Sequence, residues 1–67
     1  MTPRKMSVTI RRLREKAGMS QALLARQAKV TQGFISQLEA GIRKDISAKV
    51  AVRLAKALGV PVTELLG

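Results

Sequence analysis

The sequence predicts an all-α fold of five short helices in a single domain. Apolar residues recur with a period near 3.6 along the chain, and no segment shows the sustained alternation that is typical of a β-strand. Serine and threonine precede several of these segments and glycine follows them, as at the starts and ends of helices. With 67 residues, of which 46% are hydrophobic, the chain suffices for one small core and leaves no length for a second domain.

The first helix follows a basic N-terminal arm, which we expect to be flexible over residues 1–8. Helix one is predicted from about Thr9 to Ala17, because Ile10, Leu13 and Ala17 fall on one face of a helix.

Helices two and three are predicted over Gln21–Ala28 and Gln32–Ala40, joined by a tight turn at Lys29 and Val30. A serine or threonine before each helix can accept a hydrogen bond from a free backbone N–H. The residues that mark this pair are the N-caps Ser20 and Thr31, the inward-facing Leu24, Ala25, Ala28, Ile35 and Leu38, and the terminal Gly41.

Two further helices complete the prediction. Helix four runs from Ser47 to Leu58 and ends at Gly59, and Pro61 opens a last short helix over Val62–Leu66. Four positions of helix four share an apolar face: Ala51, Leu54, Ala55 and Leu58.

The charge of the chain indicates a polyanionic partner. Thirteen Lys and Arg residues against four acidic residues give a net charge of +9, with a pI of about 11.6. Solubility requires less charge than this, so a nucleic acid or an anionic lipid surface is expected. The alternative is a basic surface that only keeps the domain soluble.

Several classes of site are excluded by composition. The chain has no cysteine and no histidine, which excludes disulfides and thiol or imidazole metal sites. Its four carboxylates are scattered, with no nucleophile beside them, so we expect no catalytic residues, no metal, no cofactor and no enzyme activity. No apolar run approaches a membrane span, and we predict a cytoplasmic, nucleoid-associated protein of bacterial, phage or plasmid type.

The outward face of predicted helix three carries small and amide side chains suited to reading DNA. An amide donates to N7 of adenine and accepts from its N6 amino group, while a glycine permits close approach to the groove wall. Amides on helix surfaces are also often only solvated. The stripe opposite the apolar face consists of Gln32, Gly33, Ser36 and Gln37.

Three sequence blocks resemble the lambda-repressor-like family of helix-turn-helix proteins, also called Cro/CI-type or XRE. They are LREKAGMSQ, LARQAKVTQGFISQLEAG and LAKALGV, in family order and at family spacing. The resemblance implies a compact five-helix DNA-binding domain over residues 9–67, with its helix-turn-helix motif at about residues 20–41.

The resemblance also assigns roles to individual residues. It implies base contacts by the stripe on helix three and a structural ion pair between Arg14 and Glu39. Lys29 stands where many relatives have glycine, so it is predicted to adopt a positive φ. The loop over residues 41–47 is one residue longer than usual and lacks the usual proline. The implied phosphate contacts are Gln21, Thr31, Arg43 and Lys44.

Taken together, these features predict sequence-specific binding of double-stranded DNA by a small transcriptional regulator. The resemblance implies a repressor that binds a palindromic operator as a homodimer. The alternative from another class is an antitoxin that binds a toxin protein and represses its own operon. A membrane binder is disfavoured, because no helix joins a basic face to a bulky aromatic one, and no small-molecule ligand is indicated. Leu65 and Leu66 of the last helix are expected to pack either in the core or against a partner chain. The predicted dimer interface consists of Val60, Val62, Leu65 and Leu66.

Overall fold

The computed structural model of the protein describes residues 6–43 and 45–66. Within these ranges the chain forms five helices and no strand, which confirms the predicted all-α fold. The helices are α1 (Met6–Lys16), α2 (Gln21–Ala28), α3 (Gln32–Glu39), α4 (Ala48–Leu58) and α5 (Thr63–Leu66).

The first helix begins earlier than its predicted start near Thr9. Helix α1 starts at Met6, so residues 6–8 are helical and do not belong to an arm, while residues 1–5 lie outside the described residues. The reason is packing, because Met6 lies one turn before Ile10 and contacts the core. Ala17 follows the end of α1 and is exposed, so it does not extend the apolar face.

Hydroxyl caps begin three of the helices. Each cap residue has an extended backbone, and its hydroxyl accepts a hydrogen bond from the backbone N–H three residues later. The pairs are Ser20 with Leu23 (3.0 Å), Thr31 with Phe34 (3.0 Å) and Ser47 with Val50 (3.1 Å). Ser47 therefore lies before α4 and is not its first residue.

The turn between α2 and α3 places a non-glycine residue in the left-handed region. Lys29 has φ 61° and ψ 43°, as the sequence predicts, and the next residue, Val30, donates its N–H to the Ala25 carbonyl at 2.9 Å. For a residue with a Cβ atom this conformation costs about 1–2 kcal/mol. The turn holds α2 and α3 at a fixed angle despite that cost.

The core lies between all five helices and is almost entirely aliphatic. Helix α2 packs against α3 and α4, and α1 packs against α3 and α5. Ala25 is 3% exposed, and its small side chain permits the close packing of α2 with its neighbours. The largest side chains without solvent contact are Ile10, Leu24, Ile35, Leu38 and Leu54.

The last helix closes this core. Leu65 of α5 is only 3% exposed and belongs to the core cluster, because α5 packs against α1 and α4. Of its two predicted places, the core and a dimer interface, Leu65 therefore occupies the core, and its assignment to the interface is wrong. In the described ranges, no helix has both the length and the apolar character needed to cross a bilayer.

Candidate nucleic-acid interface

Helix α3 has one buried face and one exposed polar face. Ile35 and Leu38 are 0% and 1% exposed, and they fix the helix against the core. The opposite stripe is fully accessible in the described part of the chain. Its four members are the predicted base-contacting residues Gln32, Gly33, Ser36 and Gln37, all of which are exposed.

Gly33 is not required by the packing of the domain. A Cβ atom at this position would meet only the Thr31 hydroxyl, at an ordinary 3.9 Å. Glycine inside a helix is unfavourable relative to alanine. The open space beside the Gly33 backbone therefore has no structural explanation within the monomer.

The N-cap of α3 has hydrogen-bonding capacity to spare. The Thr31 hydroxyl accepts from the Phe34 N–H at 3.0 Å, and the same oxygen carries a hydrogen that it can donate. Thr31 is exposed and stands at the N-terminus of α3, where free N–H groups favour an anion. Its position agrees with a phosphate contact.

Arg43 contacts two residues of α3. Its guanidinium carbon lies 4.9 Å from the centroid of the Phe34 ring, and its Nη2 donates to Oε1 of Gln37 over 3.4 Å. The structure thus brings together a predicted phosphate contact and a predicted base contact. Lys44, the other predicted cation of this loop, lies outside the described residues.

A nearly buried ion pair joins α1 to α3. Arg14 Nε donates to Glu39 Oε2 at 2.6 Å and Arg14 Nη2 to Oε1 at 3.0 Å, with side chains 13% and 5% exposed. Arg14 Nη1 also donates to the Met19 carbonyl at 2.8 Å, which ties down the α1–α2 connection. This pair is bidentate, the geometry in which an arginine binds a carboxylate most strongly.

Gln21 completes this network. Its Nε2 donates to Glu39 Oε1 at 3.0 Å, which leaves its second amide hydrogen free for another acceptor. Burial alone raises the pKa of Glu39, but the hydrogen bonds from Arg14 and Gln21 and the Arg14 charge lower that pKa below its usual value. The hydrogen bond to Glu39 is also the main reason why the pKa of Arg14 is raised.

A shallow polar crevice of about 230 Å³ lies at this junction of α1, α2 and α3. Arg11 lines it, and its only ion-pair contact in the described chain is a 3.5 Å approach to Glu15, with both side chains more than half exposed. Arg11 is not among the site residues predicted from the sequence. Its spacing of three residues from Arg14, which places both on one face of α1, is the signal that identifies it. The lining residues are Arg11, Arg14, Gln21, Ser36, Glu39 and Ala40.

Arg53 is a second residue that the sequence analysis missed. Its Nε donates to the carbonyl of Ala28 at 2.9 Å, so α4 satisfies a free carbonyl at the end of α2, beside the Lys29 turn. An arginine between Val52 and Leu54 in an apolar helix is a weak sequence signal, since long cations often extend from such helices to water.

The four residues of the predicted dimer interface differ in their environments. Val60 and Val62 are half-buried and pack against the edge of the core, in the connection before α5. Leu65 is in the core, and the side chain of Leu66 lies outside the described part of the structure. Only two of the four predicted interface residues are therefore seen to be accessible.

The chain matches the helix-turn-helix family over residues 10–65. Among solved structures it is similar to the restriction-modification controller protein C.AhdI from Aeromonas hydrophila. The two sequences are 30% identical, the match covers 90% of this chain and 89% of that chain, and the TM-score is 0.84. The DNA-binding domain of the P22 C2 repressor is 30% identical, with 98% and 86% covered and a TM-score of 0.90.

A third similar structure is the clp gene regulator ClgR from C. glutamicum. It is 31% identical, with 91% of this chain and 78% of that chain covered and a TM-score of 0.80. No curated protein matches the chain significantly.

Proposed function

Because this chain belongs to the helix-turn-helix family and is a DNA-binding transcriptional regulator, we propose that it is a repressor that reads its operator with α3. In this proposal α3 lies in the major groove, and α2 crosses the phosphate backbone. Repression follows if the bound protein occludes a promoter.

The observation that carries the proposal is the division of α3 into two faces. Ile35 and Leu38 are fully buried, so the orientation of the helix is fixed before any ligand binds. The exposed face presents two amides, a hydroxyl and a glycine, the groups that make base-edge contacts and allow close approach. We assign base contacts to Gln32, Gly33, Ser36 and Gln37.

Phosphate contacts flank this face on both sides. Gln21 and Thr31 stand at the starts of α2 and α3, where helix dipoles and free N–H groups favour anions. The crevice beside Gln21 adds the Arg11 guanidinium, and we include Arg11 among the phosphate contacts. Arg43 adds positive charge after α3, and we include Lys44, its neighbour in the sequence, among the proposed phosphate contacts.

A single domain of this size reads only a few base pairs, too few to define a unique site in a genome. We therefore propose a homodimer on a palindromic operator, with half-sites about one helical turn apart. Val60 and Val62 are the accessible apolar residues of the proposed interface. A toxin partner remains the alternative protein-binding role, and an adjacent toxin gene is the observation that favours it.

Selection of binding sites from random duplexes tests the proposed function. The wild-type chain should enrich a defined half-site, and Gln32→Ala should weaken binding to it by about 1–3 kcal/mol while relaxing the preference at one base pair. Gln27→Ala, which removes an exposed amide of α2 that is not among the proposed contacts, is the matched control. Enrichment of no sequence, or equal weakening by Gln32→Ala on every duplex, would contradict base reading by α3.

A further inference from the structure

The loop after α3 is fixed against the C-terminal half of that helix. The backbone N–H groups of Ile42 and Arg43 both donate to the Gln37 carbonyl, at 3.0 and 3.2 Å. Gly41 permits this reversal of the chain with φ 78°. The backbone of Arg43 is therefore held beside Gln37, whatever its side chain does.

The side chain of Arg43 lies against α3, over Phe34 and beside Gln37. The Phe34 ring is partly buried against the core and forms a fixed surface 4.9 Å from the guanidinium carbon. A guanidinium at this distance over an aromatic ring is attracted to its face. From there Arg43 Nη2 reaches Oε1 of Gln37 at 3.4 Å, a long hydrogen bond that is supported by the ring and by the backbone contacts.

This arrangement changes what Gln37 can offer to a base. A glutamine amide matches adenine only when its N–H donates to N7 and its carbonyl oxygen accepts from the N6 amino group. In the structure one of the two lone pairs of that oxygen already accepts from Arg43, so an adenine N6 amino group would have to donate to the second lone pair beside a positive charge, which is unfavourable for a donor. The amide hydrogens stay free, and the guanidinium beside them contributes only donors.

From this geometry we propose that Arg43 is a positioning residue that favours the donor side of the Gln37 amide over its acceptor side, so that the pair prefers guanine. Guanine presents two acceptors, N7 and O6, on its major-groove edge and no donor there. The inference rests on the proposed function, since it assumes that α3 reads bases. It replaces the adenine contact that an isolated glutamine suggests with a guanine contact. It also replaces the phosphate contact proposed above for Arg43 with a positioning role.

A phosphate contact and a positioning contact give different results on substitution. Loss of a phosphate contact weakens binding to all sequences alike and lowers the salt dependence. Loss of a positioning contact changes the preference at one base pair, the same pair that depends on Gln37. The effect at that pair is the readout that separates the two roles.

The experiment is site selection from random duplexes with four proteins: wild type, Gln37→Ala, Arg43→Ala and Phe34→Leu. Gln37→Ala identifies the base pair that Gln37 reads. We expect guanine at that pair for the wild type, and a loss of about tenfold in the guanine preference for Arg43→Ala, with adenine gaining. Phe34→Leu keeps the charge and the apolar bulk, so it should move the preference in the same direction with an unchanged salt slope.

Three outcomes overturn the inference. Adenine at the Gln37-dependent pair in the wild type contradicts it, and so does a uniform loss of affinity in Arg43→Ala with the guanine preference intact. A preference unchanged by Phe34→Leu, in a variant whose circular dichroism shows a folded domain, contradicts the role of the ring. In all three cases a defined site is still selected, so the proposed function survives; selection of no site overturns both.

Discussion

Gly33 is a residue that the fold does not require and that we propose is needed for DNA binding. The monomer has room for a methyl group at this position, and glycine lowers helix stability there. Lys29 is also unfavourable in the isolated domain, because it keeps a strained backbone conformation at the turn that sets the angle between α2 and α3. Neither residue is the most stable choice for its position in the isolated domain.

We predict that Gly33→Ala stabilises the free domain and weakens its binding to DNA. The free energy of unfolding should rise by about 0.5–1 kcal/mol, because alanine is the better helix residue. The dissociation constant for the selected site should rise, because the new methyl group fills space that the groove wall requires. Urea denaturation and a binding titration measure the two quantities on the same protein.

Ala22→Gly is the matched control, since Ala22 is exposed on the neighbouring helix α2. It should lower stability by about the amount that Gly33→Ala gains. A Gly33→Ala variant that binds the site as tightly as the wild type would show that α3 does not approach DNA closely at this position.

At the scale of helices, the principal polar contact is the Arg14–Glu39 ion pair between α1 and α3. Both side chains are largely removed from water, and Gln21 of α2 donates to the same carboxylate. The pair thus links three helices around the polar crevice. In our interpretation it clamps α3 against α1, so that the base-reading face and the crevice keep a fixed relation.

Removal of one partner should destabilise the domain more than removal of both. Arg14→Met or Glu39→Leu alone leaves a largely buried charge without its partner, at a cost of about 3–5 kcal/mol, whereas the double variant leaves none. Free energies of unfolding from urea denaturation give the coupling energy of the two positions. Additive losses in the double variant would show that the pair is not a clamp.

The same pair predicts a dependence of stability on pH. The pKa of Glu39 is lower in the folded state than its ordinary value of 4.5, so the folded state binds fewer protons. This contribution to stability is present above about pH 4.5 and is lost as the pH falls through the lowered folded pKa. The double variant should therefore lose less stability than the wild type on acidification.

At the scale of the whole molecule, two features bear on DNA binding: the net charge of +9 and the small apolar area near α5. We expect the apolar area to govern dimer assembly and the charge to govern affinity for DNA. With Leu65 in the core, the accessible residues of the proposed interface among those whose side chains are described are Val60 and Val62. Such an area is small for a dimer that is stable without DNA. The charge in turn makes binding depend on the release of counterions.

We predict a monomer in solution and two chains on each palindromic site. Sedimentation or light scattering should show the change in stoichiometry on addition of the selected duplex. Neutralisation of about six phosphates per domain should give a log–log salt slope near −5 for each half-site. Val62→Lys should reduce the cooperativity of binding, and Val52→Lys, at a residue of α4 outside the proposed interface, serves as control.

A single bound chain at saturation, or cooperativity that Val62→Lys leaves unchanged, would contradict the proposed interface. A binding constant that is insensitive to salt would contradict the electrostatic part of the proposal.

The sequence by itself determined the helices and the faces they present. The periods and caps predicted α2 at its observed bounds and the two faces of α3, because these depend on residues close together in the chain. The positive φ of Lys29 was predicted from the family resemblance. The start of α1 was predicted three residues late, since Met6 is helical through its contact with a distant core. Local pattern carries no information about such a contact.

Apart from the Arg14–Glu39 pair, which the family resemblance implied, only the tertiary structure decided which polar groups meet. The bond from Arg53 to the end of α2 spans 25 residues, and the contact of Gln21 with Glu39 spans 18. The sequence left Leu65 between the core and a partner chain, because its sequence neighbours do not reveal that α5 closes the core. The pairing of Arg43 with Gln37 depends on the reversal at Gly41 and on the Phe34 ring, since directed side-chain hydrogen bonds require coordinates that periodicity does not supply.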